Sequence, residues 1–451
     1  MRLRETIVWL LFAALAWPQN FADIRPSPQQ VAWQDLEIGV LIHFGPNTFM
    51  DREWGDGTAD PKVFNPGQLD AEQWVTAVKA AGAKYLIMVA KHHDGFTLWP
   101  SRHTDYGVKS SPWKGGKGDV VREVWEACRK HGLKFGIYLS PWDRHEPSYK
   151  DNRAYDKYYI AQVTELATRY GEISEFWLDG AGSEGHVYDF EKYLETLRTY
   201  QPNALVFADV GFLAWGDIRW VGNEEGFAHE ENWNVIDRHG YLRWRPAEAD
   251  TPLRKRHWFW HPNDEKSLKS LEELLDTYHK TVGRGAQLVL GLAPDERGLL
   301  PDSDVARLRE FGEAVRRTYS RPLITLKTSK ARASSTGEDV WNVVDGNPYT
   351  FWAAASDAGA LSIQMHFDPP LAFDRAMTME WLNEGQRVQK YEIRAVVAGK
   401  ERTLAAGTTV GHKKIDIFPR VTATSVTLHI QMALAPVRIR EFQLYDGSQP
   451  R

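Results

Sequence analysis

The stretch Glu175-Phe176-Trp177-Leu178-Asp179-Gly180 decides the fold prediction for this chain. Three apolar residues lead directly into a single carboxylate, and Gly180 and Gly182 then allow the backbone to turn away. This pattern predicts a buried strand that ends by directing Asp179 out of the core. In a parallel α/β barrel the carboxyl ends of the strands carry the functional residues. The rest of the sequence must therefore show whether such a barrel surrounds Asp179.

Outward from this stretch, short apolar runs alternate with amphipathic segments. We predict strands over residues 38–44, 85–91, 134–140, 175–179, 204–208, 219–223, 257–260 and 287–292. Helical periodicity separates most of them, for example over residues 71–81, 120–131, 155–170, 189–200 and 267–282. The pattern predicts an α/β fold, a (β/α)8-type TIM barrel with an irregular section after the fifth strand. A doubly wound sheet has the same local pattern, and only the strand count and the length of roughly 280 residues favour the barrel.

Past Arg321 the sequence changes to alternating β segments without helical periodicity. These segments cover residues 362–367, 376–382, 391–397, 414–418, 425–431 and 437–445, and Gly, Pro and Asn turns separate them. They predict a β-sandwich. We therefore divide the chain into a signal peptide at 1–22, a catalytic barrel at 23–321 and a C-terminal β-sandwich at 322–451.

The N-terminus is typical of an export signal, because Arg2 and Arg4 precede an apolar run that is too short to span a bilayer. No small-x-small cleavage site follows, so an uncleaved anchor is the alternative; after cleavage we expect no membrane span. The single cysteine, Cys128, excludes an internal disulfide. We therefore expect an exported bacterial protein in the periplasm, in the medium or at the cell surface. A net charge of -5 without a basic stripe argues against nucleic acid as a partner.

Polar residues collect at the ends of several predicted strands. His43 follows the first strand, His92 and His93 follow the second, Asp179 ends the fourth and Glu224 follows the sixth. A barrel brings such ends to one face whatever their separation in sequence. We therefore expect these five side chains to share one site.

The histidines raise the alternative of a metal site. Adjacent strand residues point to opposite faces, so His92 and His93 could not both be ligands without an irregular strand end. The sequence also lacks a His-x-His or His-x-x-x-His signature. We expect histidines that bind hydroxyl groups, with no metal and no cofactor, and a structural role for them is the alternative.

Two of the carboxylates fit glycoside hydrolysis. That reaction needs one carboxylate to attack or to activate water and another to protonate the leaving oxygen. Asp179 and Glu224 lie on predicted strands that reach the same barrel mouth. The alternatives are a turn or N-cap carboxylate at Asp179 and a solvated loop acid at Glu224, because Glu225 and Asp217 lie nearby.

Taken together, these motifs resemble the α-L-fucosidase family of glycoside hydrolases, family 29. The resemblance covers nearly all of residues 31–320 in order, and it rests on His43-Phe44-Gly45, Glu53-Trp54, Lys91-His92-His93-Asp94-Gly95-Phe96, Trp99-Pro100-Ser101, Gly136-Ile137-Tyr138-Leu139-Ser140-Pro141 and Trp177-Leu178-Asp179-Gly180. In that family the Asp of the Trp-x-Asp-Gly motif is the nucleophile of a retaining double displacement, which implies that role for Asp179. The family's fucose pocket implies sugar contacts at His43, Glu53, Trp54, His92, His93 and Tyr138.

The segment Arg219-Trp220-Val221-Gly222-Asn223-Glu224 resembles the branch of the family that prefers fucose linked 1,3 or 1,4. There the Glu after Gly-Asn is the acid/base, which implies that role for Glu224, and we include Arg219 among the expected substrate contacts. The last barrel strand departs from the family, since Gly291 stands where relatives usually carry Asn. This difference puts a hydrogen bond at the pocket edge in doubt.

The C-terminal region also resembles this branch, over residues 385–388 and 408–414, and its opening resembles a discoidin-type carbohydrate-binding module. We expect it to pack on the barrel as a structural wall, with glycan binding or a contribution to the rim of the site as the alternatives.

The resemblance implies a retaining exo-α-L-fucosidase whose substrate is a fucosylated oligosaccharide or glycoconjugate. Fucose is a 6-deoxy sugar, so its methyl group needs an aromatic wall while its hydroxyl groups need donors and acceptors. Trp54, Trp142 and Phe44, together with the histidines, offer both. The alternatives are a retaining hydrolase of a related sugar such as a galactoside, and a catalytically silent glycan-binding protein.

Overall fold

The computed structural model describes residues 21–183, 185–208, 216–238, 241–327, 329–334, 339–354 and 361–447. Apart from its last two residues, the predicted signal peptide at 1–22 lies outside this range. None of the helices in the described ranges combines the length and the apolar character that a bilayer crossing requires.

The described part of the chain up to residue 320 contributes ten strands. They are β1 (Ile38–Ile42), β2 (Tyr85–Lys91), β3 (Lys134–Leu139), β4 (Glu175–Leu178), β5 (Leu205–Ala208), β6 (Arg219–Trp220), β7 (Val235–Arg238), β8 (Tyr241–Trp244), β9 (Ala247–Pro252) and β10 (Gln287–Leu292). Eight of them are parallel neighbours in the order β5-β4-β3-β2-β1-β10-β9-β6, while β7 and β8 form a separate antiparallel pair.

The eight parallel strands form a nearly closed barrel. Between β5 and β6 the seam contains, among the described residues, one parallel bridge from Phe207 to Ile218. The backbone amides of Asp217 and Ile218 both donate to the carbonyl oxygen of Val206, at 2.7 and 3.2 Å. This architecture confirms the predicted barrel.

Helices surround the barrel: α1 (Pro28–Gln34), α2 (Pro46–Phe49), α3 (Ala71–Ala80), α4 (Val120–His131), α5 (Asn152–Arg169), α6 (Phe190–Tyr200), α7 (Leu271–Thr281) and α8 (Asp302–Tyr319). Side-chain oxygens cap the N-termini of several of these helices. Asp70, Asp119 and Asp151 each accept a hydrogen bond from a backbone N–H group in the first turn of α3, α4 and α5. Helix α4 ends at Gly132, whose φ of 70° is left-handed. Local sequence thus fixes the helix boundaries that deliver each following strand to the barrel.

One predicted strand is wrong, because the seventh barrel strand is Ala247–Pro252 rather than 257–260. Its acidic residues Glu248 and Asp250 interrupt the apolar run that is typical of a buried parallel strand. Both face the barrel interior, where each accepts an indole N–H group at 2.6 Å, Glu248 from Trp177 and Asp250 from Trp220. Residues 257–260 lie instead in the loop that follows this strand.

The rest of the chain is all-β, as predicted. Its strands are β11 (Ser329–Ala333), β12 (Trp352–Ala353), β13 (Leu361–Glu380), β14 (Val388–Val397), β15 (Lys400–Gly407), β16 (Lys414–Ala433) and β17 (Arg438–Tyr445). These strands pair as one seven-stranded antiparallel sheet. Two pairs of the predicted short segments are each joined into one long strand, β13 and β16. The pairing between these two strands contains register shifts, which accommodate bends without ending either strand.

The C-terminal sheet packs directly against the barrel. Met377, Ile415 and Tyr445 belong to the same apolar cluster as the barrel strands and helices. A polar contact adds to this interface, since the backbone N–H of Asn234 donates to Gln386 Oε1 at 2.9 Å. The sheet therefore buries one side of the barrel, as a structural wall does.

Candidate active site

A cavity of about 170 Å³ opens at the C-terminal end of the barrel. Its lining comes from six of the eight barrel strands and the loops that follow them, and consists of Leu41, His43, Glu53, Trp54, His92, His93, Tyr138, Trp177, Asp179, Ala181, Trp220, Glu224, Asp250 and Trp258. Eight of the ten site residues predicted from the sequence line this cavity. The two that do not are Trp142 and Arg219.

Asp179 follows β4 and is held from two sides. Its Oδ2 accepts a hydrogen bond from the Tyr138 hydroxyl group at 2.9 Å, and its Oδ1 accepts one from the backbone N–H of Ala181 at 2.9 Å. Only 19% of its side chain is exposed. Burial raises the pKa of Asp179, and these two hydrogen bonds act in the opposite direction. The carboxylate therefore has a fixed orientation toward the cavity.

His93 lies beside Asp179 as a neutral imidazole. Burial lowers its pKa to about 3. Its Nδ1 lies 2.7 Å from Ser140 Oγ, and the Ser140 hydroxyl group donates its one proton to the carbonyl oxygen of Trp142 at 2.8 Å. Ser140 Oγ must therefore accept a hydrogen bond from the Nδ1–H group of His93, which leaves Nε2 unprotonated at 3.7 Å from Asp179 Oδ2. This nitrogen can accept a hydrogen bond from a ligand hydroxyl group.

His43 and His92 also face the cavity as neutral rings. Burial lowers the pKa of both well below the ordinary histidine value. Their Nδ1 atoms are buried and have no hydrogen-bond partner within the described part of the protein. A buried polar atom without a partner costs about 1–3 kcal/mol, so each of these rings carries one unsatisfied nitrogen that solvent does not reach.

His92 and His93 both line the cavity although they are adjacent in sequence. Strand β2 ends at Lys91, and its pairing with β3 shifts register between Val89 and Lys91. The side-chain alternation of a regular strand therefore does not extend to the two histidines. Among the described residues, no three or more His, Cys, Asp or Glu side chains form a metal-binding group.

Glu224 lies on a tight loop after β6. Gly222 and Gly226 have left-handed φ values of 93° and 76°, which favour glycine. Between them, Asn223 accepts a hydrogen bond from the backbone N–H of Glu225 at 3.1 Å and donates one to the carbonyl oxygen of Phe227 at 2.9 Å. The loop thus has a defined shape, and it presents Glu224 at the mouth of the cavity.

Glu224 is exposed over much of its surface and yet lines the cavity. Burial of its carboxyl group raises its pKa, a hydrogen bond with the Trp258 side chain lowers it, and the charges of Asp179 and Glu53 raise it further. The competing acid Asp217 has a structural role, since it forms an ion pair with Arg198. Glu224 is thus placed to exchange a proton at the open side of the cavity.

Glu53 lines the cavity and also holds the loop after β9. Its Oε2 accepts the backbone N–H of Trp258 at 2.9 Å, and its Oε1 accepts that of Phe259 at 3.3 Å. His261 Nε2 lies 2.6 Å from the same Oε1. Because all three contacts belong to one short loop, Glu53 fixes the position of Trp258 on the cavity wall.

Trp258 was not predicted as a site residue; the sequence singled out only Gly291, for a hydrogen bond in doubt at the pocket edge. A Cβ atom at Gly291 would lie 2.5 Å from the Trp258 ring, which is far inside the contact distance. The indole therefore packs directly over the glycine backbone, in space that a side chain at this position would fill. The departure from the family pattern gives the cavity an aromatic wall.

Trp142 and Arg219 lie outside the cavity lining. Trp142 supports it from behind, with ring centroids 5.4 Å from Trp54 and 5.0 Å from His93. Arg219 donates to the side-chain oxygen of Asn232 and, at 3.2 Å, to the carbonyl oxygen of Trp233. The expected sugar contact of Arg219 is therefore not supported, because these hydrogen bonds hold its guanidinium group away from the cavity.

Asp250 and Trp220 are further lining residues that the sequence did not reveal. The Trp220 indole N–H donates to Asp250 Oδ1 at 2.6 Å. Burial raises the pKa of Asp250 well above its ordinary value, and the Trp220 hydrogen bond opposes this. Asp250 was not predicted as a site residue because the seventh strand was predicted at a different position. The alternation of Ala and acidic residues at 247–250 is the pattern that indicates the correct strand.

Comparisons with known proteins bear on this site. The sequence profile of the α-L-fucosidase family matches residues 58–318. The α-L-fucosidase 1 of Arabidopsis thaliana is 37% identical over 447 residues, which cover 93% of this chain and 87% of that protein. A Ruminococcus gnavus fucosidase in complex with fucose matches with a TM-score of 0.88 and 29% identity, over 96% of this chain and 97% of its own. A family 29 glycoside hydrolase from a rumen bacterium matches with a TM-score of 0.84 and 34% identity, over 95% of this chain and 78% of its own. The similarity therefore extends through the C-terminal sheet.

Proposed function

The chain belongs to the α-L-fucosidase family of glycoside hydrolases and is an α-L-fucosidase, and on this premise we propose that it releases terminal α-1,3- or α-1,4-linked L-fucose with net retention. The observation that carries the proposal is that Asp179 and Glu224 share one small cavity with neutral histidines and indole rings. At about 170 Å³ the cavity is smaller than pockets for drug-sized ligands, which range over ~300–1,000 Å³. Its size suits one terminal sugar residue and hence exo cleavage.

In the proposed mechanism Asp179 is the nucleophile. The hydrogen bonds from Tyr138 and Ala181 orient its carboxylate before the reaction. Attack on the anomeric carbon passes through a transition state with oxocarbenium character and forms a covalent fucosyl-enzyme intermediate. Burial of Asp179 removes water that would otherwise solvate the nucleophile.

Glu224 is the proposed acid/base. It lies at the open side of the cavity, where the rest of the glycan must leave. Its raised pKa favours the protonated form that a general acid needs in the first step. In the second step the ionised Glu224 accepts a proton from water, which then attacks the intermediate and releases fucose of the original anomeric configuration.

The cavity wall matches the two sides of fucose. His43, His92 and His93 are neutral, so their free ring nitrogens can accept hydrogen bonds from sugar hydroxyl groups. The indoles of Trp177 and Trp258 offer apolar surface for the C5 methyl group. Trp54, with 50% of its surface exposed, lies at the rim and can contact the sugar as it enters.

The linkage preference rests on the resemblance of the Gly222-Asn223-Glu224 loop to the branch that prefers 1,3- and 1,4-linked fucose. We also propose that the protein is exported, because Arg2 and Arg4 precede a short apolar run that is typical of a signal peptide. N-terminal sequencing of the mature protein would show whether the predicted signal at 1–22 is removed.

A substrate panel with anomer detection tests the proposed function. The protein is mixed with Lewis-type trisaccharides that carry 1,3- or 1,4-linked fucose, with 2′-fucosyllactose, and with nitrophenyl fucoside and galactosides. We expect fast release of fucose from the Lewis-type trisaccharides and from nitrophenyl fucoside, and slow or no cleavage of 2′-fucosyllactose and the galactosides, with the α anomer of fucose as the first product in proton NMR spectra. Initial β-fucose would refute retention, fast cleavage of the 1,2 linkage would refute the branch assignment, and galactoside cleavage at the fucoside rate would refute the sugar assignment.

A further inference from the structure

Two carboxyl groups face each other inside the barrel, beneath the cavity. Glu175 lies on β4 and Glu248 on β9, and both are completely buried. The Trp33 indole donates to Glu175 Oε2 at 2.9 Å. The Trp177 indole donates to Glu248 Oε1 at 2.6 Å, and the Tyr85 hydroxyl group donates to Glu248 Oε2 at 3.1 Å. Neither carboxyl group has a role in the proposed mechanism.

The donors that reach this pair are neutral indole and phenol groups. Two ionised carboxylates in such an interior would repel each other and would lack solvation, so the pair must hold at least one proton. Glu248 uses both of its oxygens as acceptors. Glu175 uses only Oε2, and its Oε1 has no donor within the described ranges. A proton on Glu175 Oε1 would turn this atom into the donor of a hydrogen bond to Glu248.

Strand β4 connects this pair with Asp179. Glu175 and Trp177 lie on one face of β4, because side chains two residues apart in a strand point the same way. Asp179 follows the end of the strand and lines the cavity together with Trp177. The Trp177 ring stacks on Phe207, with centroids 3.9 Å apart, and on Tyr138, with centroids 5.4 Å apart. Tyr138 in turn donates its hydrogen bond to Asp179. The indole that Glu248 binds is thus also the support of the hydroxyl group that orients the nucleophile.

We propose that Glu175 and Glu248 share one proton, carried by Glu175, and act as positioning residues that fix Trp177 and, through Tyr138, Asp179. This inference rests on the proposed role of Asp179 as the nucleophile. Neither glutamate lines the cavity, so Glu248 acts through the Trp177 indole and Glu175 acts through the proton that it shares with Glu248.

The electrostatic surroundings agree with this proton assignment. Burial raises the pKa of Glu175 well above its ordinary value and that of Glu248 to about 7. The neighbouring titratable groups are Tyr85 and Asp250, and burial raises the pKa of both. The nearby carboxylates raise the pKa of Tyr85 further, whereas the Trp220 hydrogen bond opposes the shift of Asp250. Every titratable group around the pair is therefore biased toward its uncharged form.

Two isosteric variants test the assignment, since they make the same change on opposite sides of the shared proton. In Glu175→Gln the amide NH2 replaces the proton as donor to Glu248, and the amide oxygen still accepts from Trp33. In Glu248→Gln the amide NH2 meets the donor of Trp177 or Tyr85, so one buried donor loses its partner. We expect kcat/KM on a fucoside within about threefold of wild type for Glu175→Gln and a loss of roughly tenfold or more for Glu248→Gln.

The loss of activity in Glu248→Gln should have the same cause as the loss in Trp177→Phe. The second variant keeps an aromatic ring but removes the indole N–H group that donates to Glu248. The double variant should therefore be no worse than the poorer single variant. Equal activity of the two glutamine variants, greater damage in Glu175→Gln, or additive losses in the double variant would overturn the proposal.

Infrared difference spectroscopy tests the proton assignment even if Glu248→Gln does not fold. At mildly alkaline pH the wild-type protein minus Glu175→Gln should show the carbonyl stretch of one protonated carboxylic acid. Absence of this band would overturn the assignment of the proton without reference to activity. Conversely, a wild-type protein that shows the band but cleaves no fucoside would refute the proposed function and leave the shared proton in place.

Discussion

The two proposed catalytic carboxyl groups occupy unlike parts of the barrel. Asp179 follows a strand that pairs on both sides, with β3 and β5, and is held by a phenol and a backbone amide. Glu224 follows β6, a strand of two residues, and lies on a loop that glycines and one asparagine shape. Only 19% of the Asp179 side chain is exposed, whereas Glu224 is open to solvent.

This difference matches the two proposed tasks. A nucleophile must meet one carbon atom at a fixed distance, so its support has to be rigid. An acid/base must reach first a leaving oxygen and then a water molecule, so it needs access to solvent. The Asp179 side of the cavity is therefore built from strands and stacked rings, and the Glu224 side from loops. Five substitutions, ordered by expected effect, test how separate the two sides are.

Asp179→Ala should have the largest effect, because it removes the nucleophile. We expect turnover to fall by about 10⁴-fold or more, with the fold preserved. Azide should restore part of the activity and form a fucosyl azide of inverted configuration, which NMR spectroscopy identifies. Turnover close to wild type in this variant would remove Asp179 from the mechanism.

Glu224→Gln should have a smaller effect that depends on the substrate. On a fucosylated oligosaccharide we expect a loss of about 10²–10⁴-fold, because the leaving hydroxyl group needs a proton. On nitrophenyl fucoside the loss should be much smaller in the first step, since nitrophenolate leaves without protonation. The matched control is Glu225→Gln, an adjacent acid that does not line the cavity and should behave as wild type. Equal losses on both substrates would contradict the acid role.

Gly291→Ala should disturb the Glu224 side alone. Its Cβ atom would lie 2.5 Å from the Trp258 ring, so the indole must move, at a cost of roughly 1–3 kcal/mol in the free energy of unfolding. Measured by urea unfolding and fucoside kinetics, the variant should lose stability and gain a higher KM. Gly67→Ala is the control, because a Cβ atom there meets nothing within 4 Å. An unchanged KM would show that Trp258 is not part of the sugar site.

Trp258→Phe should move one limb of the pH profile of kcat/KM. The indole hydrogen bond lowers the pKa of Glu224, so its removal should raise that pKa and shift the alkaline limb to higher pH. The acid limb, set by ionisation of Asp179, should stay in place. Trp220→Phe is the matched control, since that indole binds Asp250 and should leave the alkaline limb unmoved. A shift of both limbs in Trp258→Phe would show that the two sides are coupled.

Glu175→Gln should have the smallest effect on activity, and it should change the pH dependence of stability. The pKa of Glu175 is raised in the folded state. At a pH above about 4.5, the pKa of this group in the unfolded chain, the unfolded chain therefore loses a proton that the folded protein keeps. The wild-type protein should therefore lose stability relative to the variant as pH rises, by at most about 1.4 kcal/mol per pH unit. Urea midpoints at several pH values measure this difference, and parallel curves for the two proteins would contradict it.

The sequence predicted the Asp179 side of the cavity better than the Glu224 side. Asp179, His43 and Tyr138 lie at the ends of apolar strands, and the barrel brings these ends together. Strand β9 was misplaced because Glu248 and Asp250 look solvent-exposed in sequence. Their hydrogen-bond partners Trp177 and Trp220 lie on other strands. The sequence around Glu248 and Asp250 therefore does not indicate that indole N–H groups offset the free-energy cost of burying these acids.

Three further features depend on contacts that no local pattern encodes. Trp258 reaches the cavity because Glu53, about two hundred positions earlier, binds its loop. Arg219 is turned away because Asn232 offers it a partner. Adjacent His92 and His93 both face the cavity because β2 ends one residue before them. In each case a partner distant in sequence, or the end of a strand, overrides the local expectation.

The single bridge between Phe207 and Ile218 has a consequence for hydrogen exchange. Strand β1 pairs with β10 over five residues, whereas among the described residues the β5–β6 seam is held by two backbone amides that share the Val206 carbonyl oxygen and by the Val206 N–H group, which donates to Asp217 Oδ2 at 2.9 Å. Local unfolding starts where few such bonds must break. The amides of Asp217 and Ile218 should therefore exchange with solvent deuterium well before those of β1. Because the Glu224 loop begins just after this seam, the lifetime of the closed seam limits how long that loop keeps its shape.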